Sequence, residues 1–263
     1  MEIPVPDSTQ PLIDAYLHAL EPLHAYFSGI YIYGSIALGA FEERESDIDI
    51  VALTQGEWTT REYARLAAIH AQLSREHPLS KRLEVLYVPL RDLGKQNSEI
   101  PPYPTLRDGA FSPATHGDLN AVTWWLIKNK GIRLLGAECS ALPLEVTWKD
   151  VLVTMRYNLN GYWMGKARKH PYLFLLDYWI VFSVSTLCRI LTTIEEGEII
   201  AKSPALLRWR DALPARWQPL IDEAWRLRHH LDQPPLYRNR IQRMRETLAF
   251  IKYVNKRGGS DLL

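Results

Sequence analysis

The chain has 263 residues, of which 47% are hydrophobic and 23% charged, with a net charge of +1. That balance describes a globular protein able to bury a core, and it argues against a chain built to bind nucleic acid or an anionic membrane surface. Two cysteines, Cys139 and Cys188, are too few for a disulfide framework or a structural zinc site. A reducing cytoplasm is therefore expected. Residues 1–6 carry neither the basic nor the apolar segment of a signal peptide. The most apolar stretch, residues 172–193, is interrupted by Asp177 and Arg189 and reads as a buried helix rather than a membrane span.

Taken in order, residues 8–27 place Leu12, Ile13, Tyr16, Leu17, Leu20, Leu23 and Tyr26 at helical spacing, with Ser8 as the expected N-cap. A short apolar strand, Tyr31-Ile32-Tyr33, then ends in Gly34-Ser35. A second strand begins Ser46-Asp47-Ile48-Asp49-Ile50 and runs on to Thr54. Residues 59–76 form an amphipathic helix that stops before His77-Pro78. Residues 83–88, rich in strand formers, give a third strand with Glu84 near its start. Residues 94–117 are rich in Pro, Ser, Gly and Asn and are expected to form a long loop, of a kind often tied to function. Asp118 or Asn120 starts a further helix, residues 131–136 form a last strand, and beyond Pro143 the pattern is helical only. The expected fold class is α+β, with an N-terminal α/β domain over residues 1–142 carrying a small mixed sheet. A C-terminal α-helical bundle follows over 143–263. A cleft between two such domains is the default place for a ligand.

The chemistry gathers in the first domain. Side chains alternate faces along a strand, so Asp47 and Asp49 share one face while Ile48 and Ile50 take the other. Paired carboxylates resist joint ionisation unless a cation lies between them, and a hard ion such as Mg²⁺ is their natural occupant. Gly34-Ser35 leaves a backbone that a phosphate can approach. Glu84 brings a third carboxylate, as metal ligand or as general base for an attacking hydroxyl; the alternative is a surface acid paired with Lys81 or Arg82. In the helical domain, Arg189 reads on its own as half of an internal ion pair with Asp177 or Glu195, and Lys202 as a solvated loop lysine. Asp177 is either a structural acid or the anionic wall for a cationic substrate. The tryptophans read as core, with Trp163 the one to examine for ligand stacking.

Gly34-Ser35, Asp47-x-Asp49 and the later strand acid Glu84 resemble the active-site pattern of the DNA polymerase beta-like nucleotidyltransferases. The tail segments 186–190, 197–202 and 213–219 resemble the helical domain of the aminoglycoside 3''/9-adenylyltransferases, which modify streptomycin and spectinomycin. This resemblance implies transfer of AMP from ATP to a drug hydroxyl with release of pyrophosphate, with two Mg²⁺ ions on Asp47, Asp49 and Glu84 and with Glu84 as the base. It implies ATP contacts from Gly34, Ser35, Ser46, Asp118, Arg189 and Lys202, while Asp177, Trp163 and Phe111 are the candidate acceptor contacts. Phe111 stands in a stretch where streptomycin-modifying members carry a tryptophan, and only Asp177 marks the acidic drug-binding region, so spectinomycin alone, or a substrate that is not an antibiotic, stays open as the acceptor. The expected partners are therefore small molecules, for a monomer without nucleic-acid or membrane attachment. Transfer to another small molecule or to a protein, and an ATP-binding antitoxin or sensor without turnover, are the alternatives.

Overall fold

The computed structural model describes residues 4–56 and 58–259. The chain divides into two compact units, residues 1–151 and 152–263. The division falls beyond residue 142 because Leu142 and Leu144 are buried in a core cluster of the first unit.

The first unit opens with helix α1 (Gln10–Leu20), capped at Thr9 rather than Ser8. Strand β1 (Phe27–Ile32) leads into the single turn α2 (Gly34–Ala37), and β2 (Ile48–Thr54) follows. Helix α3 (Thr60–Glu76) starts in a capping box, in which Thr59 and Glu62 satisfy each other's backbone donors. Then come β3 (Leu83–Pro89), β4 (Tyr103–Arg107), β5 (Ala110–Thr115), α4 (Ala121–Lys130) and β6 (Ile132–Gly136). Asn120 is the N-cap of α4, its Oδ1 accepting from the Val122 amide at 2.9 Å.

The six strands make one mixed sheet in the order β5-β4-β3-β2-β1-β6, with β2 and β3 parallel and the other neighbours antiparallel. The expected small mixed sheet is present, but the expected long loop is not. Residues 103–115 form a hairpin whose two-residue turn, Asp108-Gly109, has positive φ at both positions, 51° and 73°. Such a turn matches strand twist and favours Asp-Gly.

Alternation along the strands sorts side chains onto two faces. Ile48, Ile50 and Ala52 of β2 and Leu83, Val85 and Tyr87 of β3 pack with α1 and α3. Val51 and Leu53, with Leu86 and Val88, pack with Trp124 and Ile127 of α4. By the period of two, Asp49 and Glu84 belong to the α4 face.

The second unit is helical: the end of α5 (Trp148–Tyr157), a π-helical stretch Asn158–Trp163, α6 (Met164–Lys169), α7 (Asp177–Glu195), α8 (Lys202–Ala212), α9 (Gln218–Arg228) and α10 (Arg240–Gly259). Helix α7 is its hub, packing against α8, α9 and α10 through residues that include Ile180, Val184, Leu187 and Leu191. Among the described residues no helix is long and apolar enough to cross a membrane.

Candidate active site

The site of the first unit is assembled where β2 and β3 begin. Their parallel register sets Asp49 directly beside Glu84. The turn after β1 approaches from the other side, with the Tyr33 amide donating to the Asp49 carbonyl at 3.0 Å. Gly34 follows with φ +67°, and a β-carbon built there would overlap Asp49 Oδ2 and lie 2.7 Å from its Cγ. Only glycine combines that backbone conformation with that approach. The hydroxyl of Ser35, the residue after Gly34, is buried without a hydrogen-bond partner among the described residues.

Ser46 has a different task. Its Oγ accepts from the Glu42 amide at 3.0 Å and its own amide donates to the Glu42 carbonyl at 2.8 Å, closing the loop ahead of Asp47. Arg82 braces the same loop by donating to the carbonyls of Glu43 and Arg44. That occupation leaves Glu84 to a partner that sequence reasoning missed, Arg107 at the end of β4, whose Nε lies 3.2 Å from Glu84 Oε1.

Asp118 joins the acids from the loop before α4. Gly117, next to it, is held by both Tyr103 and Asn97: its amide donates to the Tyr103 hydroxyl at 3.1 Å, and its carbonyl accepts from Asn97 Nδ2. The electrostatic consequence is visible on two neighbours. Burial, with the charges of Asp49, Asp118 and Glu84, pushes the Tyr33 hydroxyl well above its ordinary pKa. Burial raises Glu84 itself to about 7; the charges of Asp47, Asp108 and Asp118 add to the rise, and Arg107 opposes it. Tyr33 has no sequence signal beyond its place next to Gly34.

Among the described residues no three His, Cys, Asp or Glu side chains are arranged as a metal cage. Asp47, Asp49 and Glu84 are thus not a preformed three-ligand set. Their chemistry still fits Mg²⁺, an oxygen-seeking ion usually held by one or two carboxylates with water and substrate phosphate completing the shell.

Phe111 sits elsewhere. Its register partner is Leu106, and both pack on the α1/α3 side, where the Phe111 ring stacks on His70 at 5.9 Å. It lies on the opposite face of the sheet from Asp49 and Glu84, so its assignment as an acceptor contact is corrected to core packing. Trp163 is likewise corrected. It is 1% exposed, with its ring against Tyr162 at 5.0 Å and Phe182 at 5.1 Å, so neither face is open to a ligand.

In the second unit, Arg189 Nε donates to the Ile200 carbonyl at 2.9 Å, tying α7 to the segment that leads into Lys202 at the start of α8. The two cations assigned to phosphate are thereby held in one neighbourhood. The expected partners of Arg189 are taken by α10: Asp177 is bonded by Arg243, and Glu195 by Arg257 at 2.6 and 2.8 Å. Arg243 also reaches Glu223, which is fully buried and accepts two bonds from Arg226, each 2.9 Å.

Residues 176–254 match the family model of the aminoglycoside adenylyltransferase C-terminal domain. Among solved structures, the crystal structure of spectinomycin adenyltransferase AAD(9) from Enterococcus faecialis, with ATP and spectinomycin, aligns with a TM-score of 0.69 at 18% sequence identity. The alignment covers 94% of this chain and 99% of that one. No curated protein matches the chain by sequence. The likeness to that structure is one of fold, over nearly the whole of both chains. The segment 176–254 is similar to the C-terminal domain of the aminoglycoside adenylyltransferases, the family that the tail motifs resemble.

Proposed function

We propose that the chain transfers AMP from ATP to a hydroxyl of an aminoglycoside or aminocyclitol antibiotic, spectinomycin or streptomycin, in a Mg²⁺-dependent reaction that releases pyrophosphate. The observation that carries this reading is the pair Asp49 and Glu84, side by side on parallel strands with Gly34 bared against Asp49. The family of the C-terminal segment, and the ATP and spectinomycin named for the AAD(9) structure, support the same substrates.

In this reading Glu84 accepts the proton of the acceptor hydroxyl. The hydroxyl oxygen bonds to the α-phosphorus, the bond from that phosphorus to the bridging oxygen breaks, and pyrophosphate leaves with the electron pair. Mg²⁺, when bound by Asp47 and Asp49 with Glu84 adjoining, supplies positive charge to the phosphate oxygens. Gly34 and Ser35 give the phosphates a close approach, with the unmet Ser35 hydroxyl as a donor. Ser46 keeps its loop closed and retains a hydroxyl proton to donate. Arg189 and Lys202 supply cationic donors for phosphate oxygens, Asp118 contacts the nucleotide, and Asp177 the acceptor. The enzyme works as a monomer in the cytoplasm, where ATP is at hand.

The test is incubation with ATP, Mg²⁺ and a panel containing streptomycin, spectinomycin and related compounds, followed by pyrophosphate release. Release with at least one drug, together with an AMP-modified product by mass, is expected. No release with any compound overturns the reading.

A further inference from the structure

Arg107 is assigned no part in the reaction above, yet it is ion-paired with the proposed base. The antiparallel pairing of Val85 with Leu106 puts Glu84 and Arg107 on the same face of the sheet, and the Asp108-Gly109 turn fixes where β4 ends. Its side chain is 55% exposed, against 22% for Glu84, so the guanidinium lies on the solvent side of the carboxylate. A guanidinium is charged at every pH the protein experiences. An acceptor that brings a hydroxyl to Glu84 from solvent therefore meets a fixed cation first. A purely structural pair is the simpler account, but a surface arginine on a carboxylate stabilises a fold little, and this one stands at the mouth of an otherwise acidic group.

We propose that Arg107 is a specificity-determining residue of this site: ion-paired with Glu84, its guanidinium takes the place where a cationic group of an acceptor would pair. Acceptors rich in positive charge are repelled, and sparsely charged polyols and aminocyclitols are admitted. The inference rests on the reading of Glu84 as the group that receives the acceptor hydroxyl.

The test measures binding, so that it does not depend on turnover. Dissociation constants of the more highly charged streptomycin and the less charged spectinomycin are measured by calorimetry, with Mg²⁺ and a non-hydrolysable ATP analogue present. The full chain is compared with Arg107→Gln and Arg107→Lys. The wild type is expected to prefer spectinomycin, Arg107→Gln to narrow that preference at least tenfold by tightening streptomycin, and Arg107→Lys to keep it. Raising the salt concentration should also weaken the wild-type preference. An unchanged preference in Arg107→Gln overturns the proposal, as does a wild type that binds neither drug. If both drugs bind and the preference responds to Arg107 while no pyrophosphate is released, selection by Arg107 stands and the transfer reading falls.

Discussion

Gly34 abuts the carboxylate of Asp49 so closely that a β-carbon built on it would overlap Oδ2, and its φ of +67° is one that L side chains avoid. Two constraints thus meet at one position, and both act on the acid pair. Gly34→Ala must push Asp49 aside or flatten the turn, and strain of this kind costs roughly 1–3 kcal/mol. The expected result is a folded protein with a lowered Tm and AMP transfer reduced by about a hundredfold, in keeping with the rate cost of small misplacements at a reacting centre. Wild-type kcat/KM in Gly34→Ala would show that the close approach is incidental.

Glu84 gives a pH signature. Burial raises it to about 7, with Asp47, Asp108 and Asp118 adding to the rise and Arg107 opposing it. A folded pKa above the unfolded value means that the native state binds the proton more tightly. The stabilisation from this group is therefore complete below about pH 4. It is lost progressively as the pH rises through about 7. In metal-free buffer, urea midpoints measured from pH 4 to 8 should fall across that window in the wild type and stay flatter in Glu84→Gln. Activity runs the other way, because a base must be ionised. The rate should climb with pH along a limb at or below 7, since bound Mg²⁺ favours the carboxylate, and Glu84→Gln should abolish turnover with ATP affinity within a few-fold of wild type. Retained turnover in that variant would take the base role from Glu84.

Arg189 makes a structural hydrogen bond to the Ile200 carbonyl and carries a charge that is proposed to be functional, and the two can be separated. Arg189→Lys keeps the charge but loses the planar donor to the Ile200 carbonyl. Arg189→Gln loses the charge. If phosphate binding depends on charge, KM for ATP rises about tenfold or more in Arg189→Gln, the scale of one charge-assisted bond, and less in Arg189→Lys. Lys202→Gln should behave as Arg189→Gln does. A Tm decrease in all three with KM for ATP unmoved would reduce both residues to scaffolding.

What could be read from the sequence follows from which contacts are local. Strands β1 to β3 and helix α3 announce themselves through apolar periodicity and, for α3, the Thr59–Glu62 cap, and Asp49 and Glu84 were legible because each stands near the start of a strand. The β4–β5 hairpin was hidden by a composition that reads as loop, although Asp108-Gly109 was the local signal that could have exposed it. Missing the hairpin had two further costs. Phe111 could not be placed on the far face without its register to Leu106, and Arg107 could not be matched to Glu84 without β4 beside β3. The partners expected for Arg189 failed for a geometric reason: neither Asp177 nor Glu195 lies three or four residues away along α7, the spacing that brings helix side chains together. Both acids instead meet arginines of α10, a long-range pairing that no spacing rule reports.

Trp163 tests the line between core and pocket. Its ring is enclosed by Tyr162 and Phe182, it is 1% exposed, and its Nε1 is buried without a partner among the described residues. Trp163→Ala removes a large core side chain and should cost about 3–5 kcal/mol, enough to unfold many domains of ordinary stability. Trp163→Phe is the more informative change. It keeps an aromatic ring and removes the unsatisfied donor, whose burial costs about 1–3 kcal/mol, so the cavity left by the smaller ring is partly offset. A Tm shift of only a few degrees is expected, with KM for the acceptor unchanged. A tenfold rise in acceptor KM at constant Tm would instead put this ring against the drug and reverse its assignment to the core.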